Sequence, residues 1–395
     1  MNGGSSSIRF ALYDVADTSA KVLSGKIERV GMSGTSLSVD GQKQGSPERA
    51  PLKVDARDHE SVVNFLIDWL VARPVFNTVR AVGHRIVHGM THSNPERVTP
   101  QLVAELKRIT PFDPEHLPRE IELIEIISLK LPKLPQVACF DTAFHRTMPR
   151  VATLVPIPRR YESLGIRRYG FHGLSYTYLM SELVRIGDEA ATRGRVILMH
   201  LGSGASLAAV RDGHGVDTSM GFTPTSGLVM STRSGDLDPG VAGFLASSQS
   251  MSIAAFEKMV THESGLLGVS ETSSDVRDLL TREGSDVRAE EALALFCYQV
   301  KKWLGAFAVA LGGVDTVVFS GGIGENAAPI RARICAGLEF LGIELSETRN
   351  ANGDPVISTD SSRVAVRVIR TDEESVIASS TIAVLGKSSL LGKSS

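Results

Sequence analysis

The sequence has little cysteine, little net charge and no long apolar run, and each absence argues against a class of protein. Its three cysteines, Cys139, Cys297 and Cys335, are widely spaced in apolar segments, which disfavours a disulfide framework or a metal site. A formal net charge of −2 provides no electrostatic attraction to nucleic acid or to an anionic membrane. Without a signal-peptide pattern or an apolar run of membrane-spanning length, we expect a cytoplasmic protein.

The two commonest nucleotide-binding motifs are absent as well. The chain has no G-x-x-x-x-G-K-[ST] P-loop, and none of its glycine turns has G-x-G-x-x-G spacing. Three other turns rich in glycine and serine, at residues 2–7, 201–206 and 320–326, each adjoin a strand-like apolar run. Such turns leave main-chain N–H groups bare for phosphates. One turn alone would be an ordinary hairpin, but three predict a nucleotide held from several sides between two similar halves.

The first of these turns lies at the start of the sequence, where only Met1 precedes Asn2. A phosphate-binding turn of this kind normally joins two strands, and a missing central strand leaves backbone groups unpaired inside a sheet. Either the fold manages without that strand or the recorded sequence starts internally. We favour the second interpretation as a hypothesis.

Four polar side chains stand beside glycines or at the ends of predicted strands. They are Arg85 in GHRIVHG, Asp141 in FDTAFH, His172 in YGFHG and Arg233 in STRSGD. Each has an ordinary alternative, because an arginine can be structural, an aspartate can cap a turn and a histidine can be a hydrogen-bonded core residue. A guanidinium among small residues has room to fork onto carboxylate or phosphate oxygens. Taken with the three turns, these residues predict a phosphoryl-transfer site.

The length of 395 residues is sufficient for two domains with sizeable cores. A proline-rich bend at residues 148–160 marks the passage between them, so we predict one domain of residues 1–147 plus 373–395 and another of 148–372. The tail repeats LGKSS, and we expect it to be disordered. Apolar periodicity and capping residues predict helices from Asp58 to before Pro74, from Thr99 to Ile109, from about Pro118, and from Ala289 to Leu311.

Seven motifs, taken in order, resemble the successive signatures of acetate kinases along nearly the whole chain. They are NGGSSS, GHRIVHG, FDTAFHRTMP, RRYGFHG, HLGSGAS, DTSMGFTPTSGLVMSTRSGDLDPG and FSGGIGEN. The resemblance implies an α/β fold of two duplicated domains, actin-like and sugar-kinase-like (ribonuclease H-like), with a cleft between them, usually in a homodimer. It also implies reversible, direct in-line phosphoryl transfer from ATP to acetate, giving acetyl phosphate and ADP, with Mg²⁺.

The same resemblance assigns roles to individual residues. Arg85 and Arg233 would bind the carboxylate and the migrating phosphoryl group, and His172 would hydrogen-bond that group in the transition state. Asp141 would orient the arginines or the metal-bound water, and is described in the family as an acid/base. The small apolar pocket for the acetate methyl group would comprise Val87, Phe112, Phe171 and Pro224, and the Mg²⁺ positions would be Asn2 and Glu373. The nucleotide contacts would be Arg9, His200, Leu201, Gly202, Ser203, Gly204, Asp275, Val276, Arg277, Gly322, Ile323, Gly324, Glu325 and Asn326.

The sequence departs from the family pattern at two motifs. Ser203 replaces the asparagine of HLGNGAS, which removes one amide donor at the phosphates. The family's APLHNP reads TPFDPEH here, so that Asp113 replaces a histidine and Phe112 replaces the pocket leucine. A larger Phe112 would shrink the acyl pocket, although the altered loop could equally open it. Two alternatives therefore stay open: a propionate or butyrate kinase, and a catalytically weakened nucleotide-binding member of the family. An ATP-driven chaperone would need a peptide-binding domain, for which the chain has no length left.

Overall fold

A computed structural model describes residues 1–4, 7–18, 21–30, 33–40, 51–56 and 58–391. The strands are β1 (Asn2–Gly3), β2 (Ser7–Tyr13), β3 (Lys21–Glu28), β4 (Ser36–Asp40), β5 (Leu52–Lys53), β6 (Val82–Ile86), β7 (Glu96–Arg97), β8 (Gln136–Phe140), β9 (Arg195–Leu201), β10 (Ala205–Arg211), β11 (His214–Thr218), β12 (Thr316–Ser320) and β13 (Ala365–Val368). Ser5 and Ser6 of the first glycine-serine turn, and residues 392–395 of the tail, lie outside the described ranges.

The helices alternate with these strands, which confirms the predicted α/β class. They are α1 (His59–Val71), α2 (Pro100–Ile109), α3 (Leu117–Lys130), α4 (Arg150–Thr153), α5 (Gly173–Arg185), α6 (Glu189–Arg193), α7 (Gly240–Gln249), α8 (Ile253–His262), α9 (Gly265–Ser270), α10 (Val276–Arg282), α11 (Val287–Leu311), α12 (Gly321–Asn326), α13 (Ala328–Cys335), α14 (Glu347–Asn352), α15 (Glu373–Leu385) and α16 (Lys387–Leu390). Short 3₁₀ segments lie at Pro74–Thr78, Thr110–Phe112, Asp141–Thr147, Arg159–Leu164 and Glu339–Leu341. Within the described ranges, no helix is long and apolar enough to cross a membrane.

The chain divides into two compact units, Met1–Ala143 with Asp372–Ser395, and Phe144–Thr371. The domain limits drawn from the sequence at residues 148 and 373 remain predictions. In the first unit, β1 to β5 form an antiparallel sheet in sequence order, and β6 is parallel to β8 in a second sheet. Met1 joins the two sheets, because its amine donates to the Gly83 carbonyl (2.8 Å) and its carbonyl accepts the Arg85 N–H (3.0 Å).

The second unit repeats this arrangement around one five-stranded sheet of order β11-β10-β9-β12-β13. Here β9, β10 and β11 form an antiparallel meander, while β12 and β13 run parallel to β9. In the first unit β1, β2 and β3 form the corresponding meander, and β6 and β8 correspond to the parallel strands. The two units therefore share one strand pattern, although β1 has two residues where β9 has seven.

Each unit has its own apolar core. In the first unit, one cluster packs α1 and α3 against the antiparallel sheet and a second packs α2 and α3 against β6 and β8. In the second unit, α5 covers β9 and β10. These cores fix the strands whose ends carry the predicted site residues.

The predicted helices start and end where capping chemistry requires. Asp58 accepts the Ser61 N–H (2.8 Å) at the start of α1, and Thr99 accepts the Leu102 N–H (3.2 Å) at the start of α2. The long helix α11 ends at Gly312, whose φ of 70° favours glycine. These helices confirm the sequence-based prediction, with ends shifted by one or two residues.

Three local predictions were wrong. Residues 79–83, just before His84 and Arg85, predict a strand from their sequence, but the strand begins only at Val82. Val79 instead closes the preceding 3₁₀ turn by donating to the Phe76 carbonyl. The third glycine turn forms the short helix α12. Within the tail, α16 is helical, and Leu390 is buried rather than disordered.

Candidate active site

In the first unit, Arg85 and Asp141 form a buried ion pair at the ends of two neighbouring parallel strands. Nε and Nη2 of Arg85 donate to Oδ2 of Asp141 at 2.9 and 2.6 Å, and the Asp141 side chain is fully buried. Burial alone would lower the pKa of Arg85, but the carboxylates of Asp141 and Glu373 raise it above its ordinary value. Arg85 is therefore a fixed cation whose orientation is set by Asp141.

A second polar group of this unit brings residue 2 against the start of α15. Nδ2 of Asn2 donates to Oε2 of Glu373 (2.9 Å) and to Oε1 of Glu374 (3.1 Å). The Asn2 amide nitrogen is thus committed to the carboxylates, so its oxygen stands on the opposite side of the amide. Glu374 had no place in the sequence-based prediction.

The loop at the departure from the family pattern folds around a buried Asp–His pair. Oδ1 of Asp113 accepts from Nδ1 (2.9 Å) and from the main-chain N–H (3.2 Å) of His116. Burial would raise the pKa of Asp113, but hydrogen bonding from His116 outweighs it and keeps the pKa low. Phe112 packs beside the ring of His88, with 5.7 Å between ring centroids. Asp113, which replaces the family histidine, is therefore held by a histidine three residues later.

In the second unit, two histidines stack at the entry to α5. The rings of His172 and His200 are 4.3 Å apart and inclined by 24°. His172 has a left-handed φ of 58°, and its Nδ1 lies 2.8 Å from Oγ of Ser206. Nδ1 of His200 lies 2.8 Å from Oγ of Ser175. The two serine hydroxyls therefore fix the orientation of both rings through their Nδ1 atoms.

His172 and Arg233 converge over Gly204, in the turn that joins β9 to β10. A Cβ atom built on Gly204 would lie 3.2 Å from Nε2 of His172 and 3.4 Å from Nη1 of Arg233. Nη1 of Arg233 also donates to the Pro224 carbonyl (3.2 Å). The fold therefore brings together four residues from three separate sequence motifs.

Two of the three glycine segments meet beside this group. β9 and β12 are parallel neighbours, so the turn after β9 and the start of α12 lie at the same edge of the sheet. A Cβ atom on Gly202 would lie 3.8 Å from the main-chain nitrogen of Gly322, and one on Gly321 would lie 2.6 Å from the Leu201 carbonyl. A substituted residue at 321 would collide with β9, and its φ of 75° also favours glycine.

Several predicted nucleotide contacts have structural partners of their own. Oε1 of Glu325 accepts the N–H groups of Gly321 (3.0 Å) and Thr371 (3.1 Å). The side chains of Leu201 and Val276 are buried in the core, so these two residues offer a ligand only main-chain atoms. Asn326 donates to the Gly322 carbonyl at 2.9 Å. The side chains of Glu325 and Asn326 therefore stabilise the backbone around residues 321–326.

The remaining predicted contacts lie further along the chain or in the other unit. Asp275 caps α10 by accepting the Arg277 N–H (2.8 Å), and it also pairs with the exposed Arg277 guanidinium. Arg9 is exposed on β2, opposite Asn2. Ser203 is exposed, and its carbonyl accepts the Ser231 N–H (3.2 Å). Phe171 is buried, and its carbonyl faces Nε2 of His145 (3.0 Å).

Two buried charged residues near these groups were missed. Glu120 lies on the apolar face of α3, and Arg331 lies fully buried in α13, where it donates to the carbonyls of Gly324 (2.9 Å) and Glu325 (3.0 Å). Glu120 follows Leu117 by three residues and precedes Ile124 by four, so a carboxyl group interrupts an otherwise apolar helical stripe. That interruption was the available signal.

Comparison with known proteins gives one consistent result. The profile of the Acetokinase family matches residues 1–379. The acetate kinase of Rhodopseudomonas palustris (strain ATCC BAA-98 / CGA009) is 41% identical over 384 residues, 96% of each chain. The propionate kinase of Citrobacter rodentium (strain ICC168) is 40% identical over 385 residues, 96% of this chain and 94% of that one.

Solved structures with similar folds carry the same two names. The acetate kinase of Porphyromonas gingivalis superposes with a TM-score of 0.86 at 36% identity, covering 97% of this chain and 98% of that chain. A propionate kinase from Francisella tularensis subsp. tularensis SCHU S4 superposes with a TM-score of 0.90 at 34% identity, with the same coverage.

Proposed function

Because the chain belongs to the acetokinase family, we propose that it transfers the terminal phosphoryl group of ATP reversibly to the carboxylate of acetate, giving acetyl phosphate and ADP. The observation that carries this proposal is the convergence of His172 and Arg233 over Gly204. Two side-chain donors above a bare glycine turn are what an in-line transfer needs, since its transition state requires alignment and charge neutralisation more than proton chemistry.

In this proposal the first unit binds the acyl substrate. Arg85 binds the carboxylate, and Asp141 holds the guanidinium in place through two hydrogen bonds to one carboxylate oxygen. This proposal is supported by the contacts of Arg85 Nη1. That nitrogen makes one long hydrogen bond, of 3.4 Å, to the Gly3 carbonyl, so it can donate a further hydrogen bond to the substrate. Val87, which follows Arg85 by two residues on the same side of the strand, lines the methyl pocket with Phe112.

The second unit binds the nucleotide and the transferring group. Arg233 and His172 contact the migrating phosphoryl oxygens, and Phe171 and Pro224 are the acyl contacts that we propose for this unit. The main chain at residues 200–204 and 322–326 binds the phosphates and nucleoside, with Asp275, Val276 and Arg277 as further contacts. Arg9, in the first unit, is a further proposed nucleotide contact. The support is that Gly202 and Gly322 lie close together at the carboxyl ends of β9 and β12, where nucleotides bind in open α/β sheets.

We also propose that Asn2 and Glu373 hold Mg²⁺. The residues fit this ion, because Asn2 turns its amide nitrogen to the carboxylates of Glu373 and Glu374 and keeps its carbonyl oxygen for a hard cation. Within the described part of the chain, no cluster of three or more acidic, histidine or cysteine ligands could hold a metal. One amide oxygen and one or two carboxylates suit Mg²⁺, which binds a few carboxylates together with substrate phosphates and neutralises the charge on the phosphate oxygens.

Acetate is the substrate that we propose, with propionate or butyrate as the second candidate. The specific observation favouring a longer chain is the 40% identity to a propionate kinase. A single methylene in an apolar pocket changes the free energy of binding by about 1 to 3 kcal/mol, so activity on both acids is expected. We further propose a homodimer, because apolar side chains such as Phe244 on α7, Ile253 on α8 and Val309 on α11 are exposed in the single chain. The cytoplasm is the location that we propose for it.

The deciding experiment measures acyl phosphate formation by the purified protein with Mg-ATP and acetate, propionate or butyrate, trapping the product with hydroxylamine. We expect turnover, and a loss of about three orders of magnitude or more in kcat for Arg233→Ala. Arg193→Ala, which removes an exposed arginine of α6, is the matched control and should keep full activity. Nucleotide binding without turnover on any of the three acids would replace this proposal with the catalytically weakened member.

A further inference from the structure

Glu120 is a buried carboxyl group beside the proposed acyl site that the mechanism above does not use. It lies in the first turn of α3, and 2% of its surface is exposed. Both carboxyl oxygens face one donor, the Val87 N–H, at 3.0 and 3.2 Å. Among the described residues, no ion pair joins Glu120 to a cation. A buried carboxylate without a paired cation is costly, which favours the neutral acid.

The charges around Glu120 support this protonation state. Burial is the main cause that raises its pKa well above the ordinary value. Asp113 and Asp141 add to the effect, whereas Arg85 and the hydrogen bond from the Val87 N–H oppose it. Further titratable groups near this cluster are Glu373, which acts on Arg85, and His88 and His116, which act on Asp113. Arg85 already faces the carboxylates of Asp141 and Glu373, so an ionised Glu120 would add a third negative charge around the guanidinium.

The contact with Val87 places Glu120 at the end of β6. The parallel ladder between β6 and β8 stops at the pair Ile86 and Phe140, so Val87 has no strand partner for its N–H on that side. Glu120 supplies the acceptor instead. Its carboxyl group therefore fixes the main chain immediately after Arg85, between the proposed carboxylate-binding residue and the start of the methyl pocket.

We propose that Glu120, as a neutral acid, is a positioning residue for the acyl substrate. It holds the Val87 main chain and adds no further negative charge to those of Asp141 and Glu373 around Arg85, so that Arg85 can accept the anion. This inference rests on the proposed function, because it concerns the acid that the enzyme phosphorylates. By linkage, binding of the carboxylate favours the protonated form of Glu120, and ionisation of Glu120 weakens that binding to the same degree.

The test compares three variants in the acyl phosphate assay across pH. Glu120→Ala leaves the Val87 N–H without its acceptor and should raise KM for acetate about tenfold, with KM for ATP unchanged. Glu120→Gln keeps a carbonyl acceptor, so it should restore KM for acetate most of the way. Because the amide cannot ionise, this variant should also lack the rise in KM that we expect of the wild type at alkaline pH. Glu122→Gln is the matched control, since Glu122 lies on the same helix and pairs with His59 at the surface.

Calorimetry of acetate binding in two buffers of different ionisation enthalpy gives a readout that does not need turnover. The wild type should take up protons on binding acetate at alkaline pH, and Glu120→Gln should take up markedly fewer. Equal proton uptake and equal alkaline KM profiles in the two proteins would overturn the role of Glu120 while leaving the kinase proposal intact. Acetate binding without turnover in the wild type would defeat the kinase proposal, and the calorimetric comparison would still decide the role of Glu120. If the wild type bound no acetate, both proposals would fall.

Discussion

At the scale of single residues, Gly204 shows how one missing side chain makes room for two others. The turn between β9 and β10 needs a small residue here for a reason of space, since the nearest atoms to a built Cβ belong to His172 and Arg233. A sequence motif identifies the glycine as part of a turn, but it does not say which side chains occupy the space above it.

Gly204→Ala should therefore impair catalysis without unfolding the protein. A methyl group 3.2 Å from Nε2 of His172 forces that ring or Arg233 to move by a few tenths of an ångström or more. Misplacement of catalytic groups by about 1 Å can cost about 100-fold in rate, so we expect a loss of ten- to 100-fold in kcat with little change in Tm.

Gly284→Ala is the control for this change, because a Cβ at Gly284 meets no atom within 4 Å. Steady-state kinetics and thermal melts of the two variants decide the point. Equal kcat for both would mean that His172 and Arg233 tolerate the added methyl group, contrary to the expectation.

At the scale of elements, Arg331 joins α13 to the short helix α12. Besides the two carbonyls at the end of α12, it contacts Oδ1 (2.8 Å) and the carbonyl (2.7 Å) of Asn350. All these partners are neutral oxygens, and burial is the main cause that lowers the pKa of Arg331. A buried cation bound to helix-terminal carbonyls fixes the segment that follows β12.

Arg331→Met should therefore raise KM for ATP more than KM for acetate and should lower Tm. The carbonyls of Gly324 and Glu325 would lose their donor, which loosens the proposed nucleotide segment, whereas Arg85, the proposed carboxylate-binding residue, lies in the other unit. Arg333→Met is the matched control, because Arg333 lies on the same helix and pairs with Glu283 nearer the surface. A parallel rise in both KM values would indicate a general loss of structure instead of a local one.

At the scale of the whole molecule, buried neutral histidines make the fold sensitive to acid. Burial lowers the pKa of His84 to about 3 and that of His145 to about 4. Nε2 of His84 faces the Gln136 Oε1 atom (2.7 Å), and Nε2 of His145 faces the Phe171 carbonyl, so both rings donate from Nε2 in the neutral form. Each ring therefore has to stay unprotonated for its unit to remain folded.

The free energy of unfolding should accordingly fall as the pH decreases from about 6.5 towards 4. The unfolded chain takes up protons at the ordinary histidine pKa, whereas the folded chain resists uptake, so the stability is present above that value and is lost below it. Urea unfolding at a series of pH values measures the slope. His145→Gln keeps a donor for the Phe171 carbonyl and should flatten the slope, and His214→Gln, at an exposed position, should leave it unchanged.

Much of this molecule follows from local sequence. Asp58 and Thr99 identify the starts of two helices, Gly312 identifies the end of a third, and the apolar run 137–140 identifies a buried strand. These signals are local because a cap or a turn involves neighbours in the chain. At β6 the residues predicted as a strand partly form a 3₁₀ turn, and at α12 the residues predicted as a turn form a helix. Local propensity does not distinguish these structures over so few residues.

The sequence by itself determined the α/β class, the family and the chemical types of the candidate site, because glycine turns, arginines and histidines in recognisable motifs survive as local patterns. Only the tertiary structure decided how they combine. It pairs Arg85 with Asp141 across 56 residues and Asn2 with Glu373 across 371, and it buries Glu120 against the Val87 amide. Pairings over such separations, and the burial that shifts a carboxyl pKa, depend on how strands and helices pack, and no short stretch of sequence contains that information.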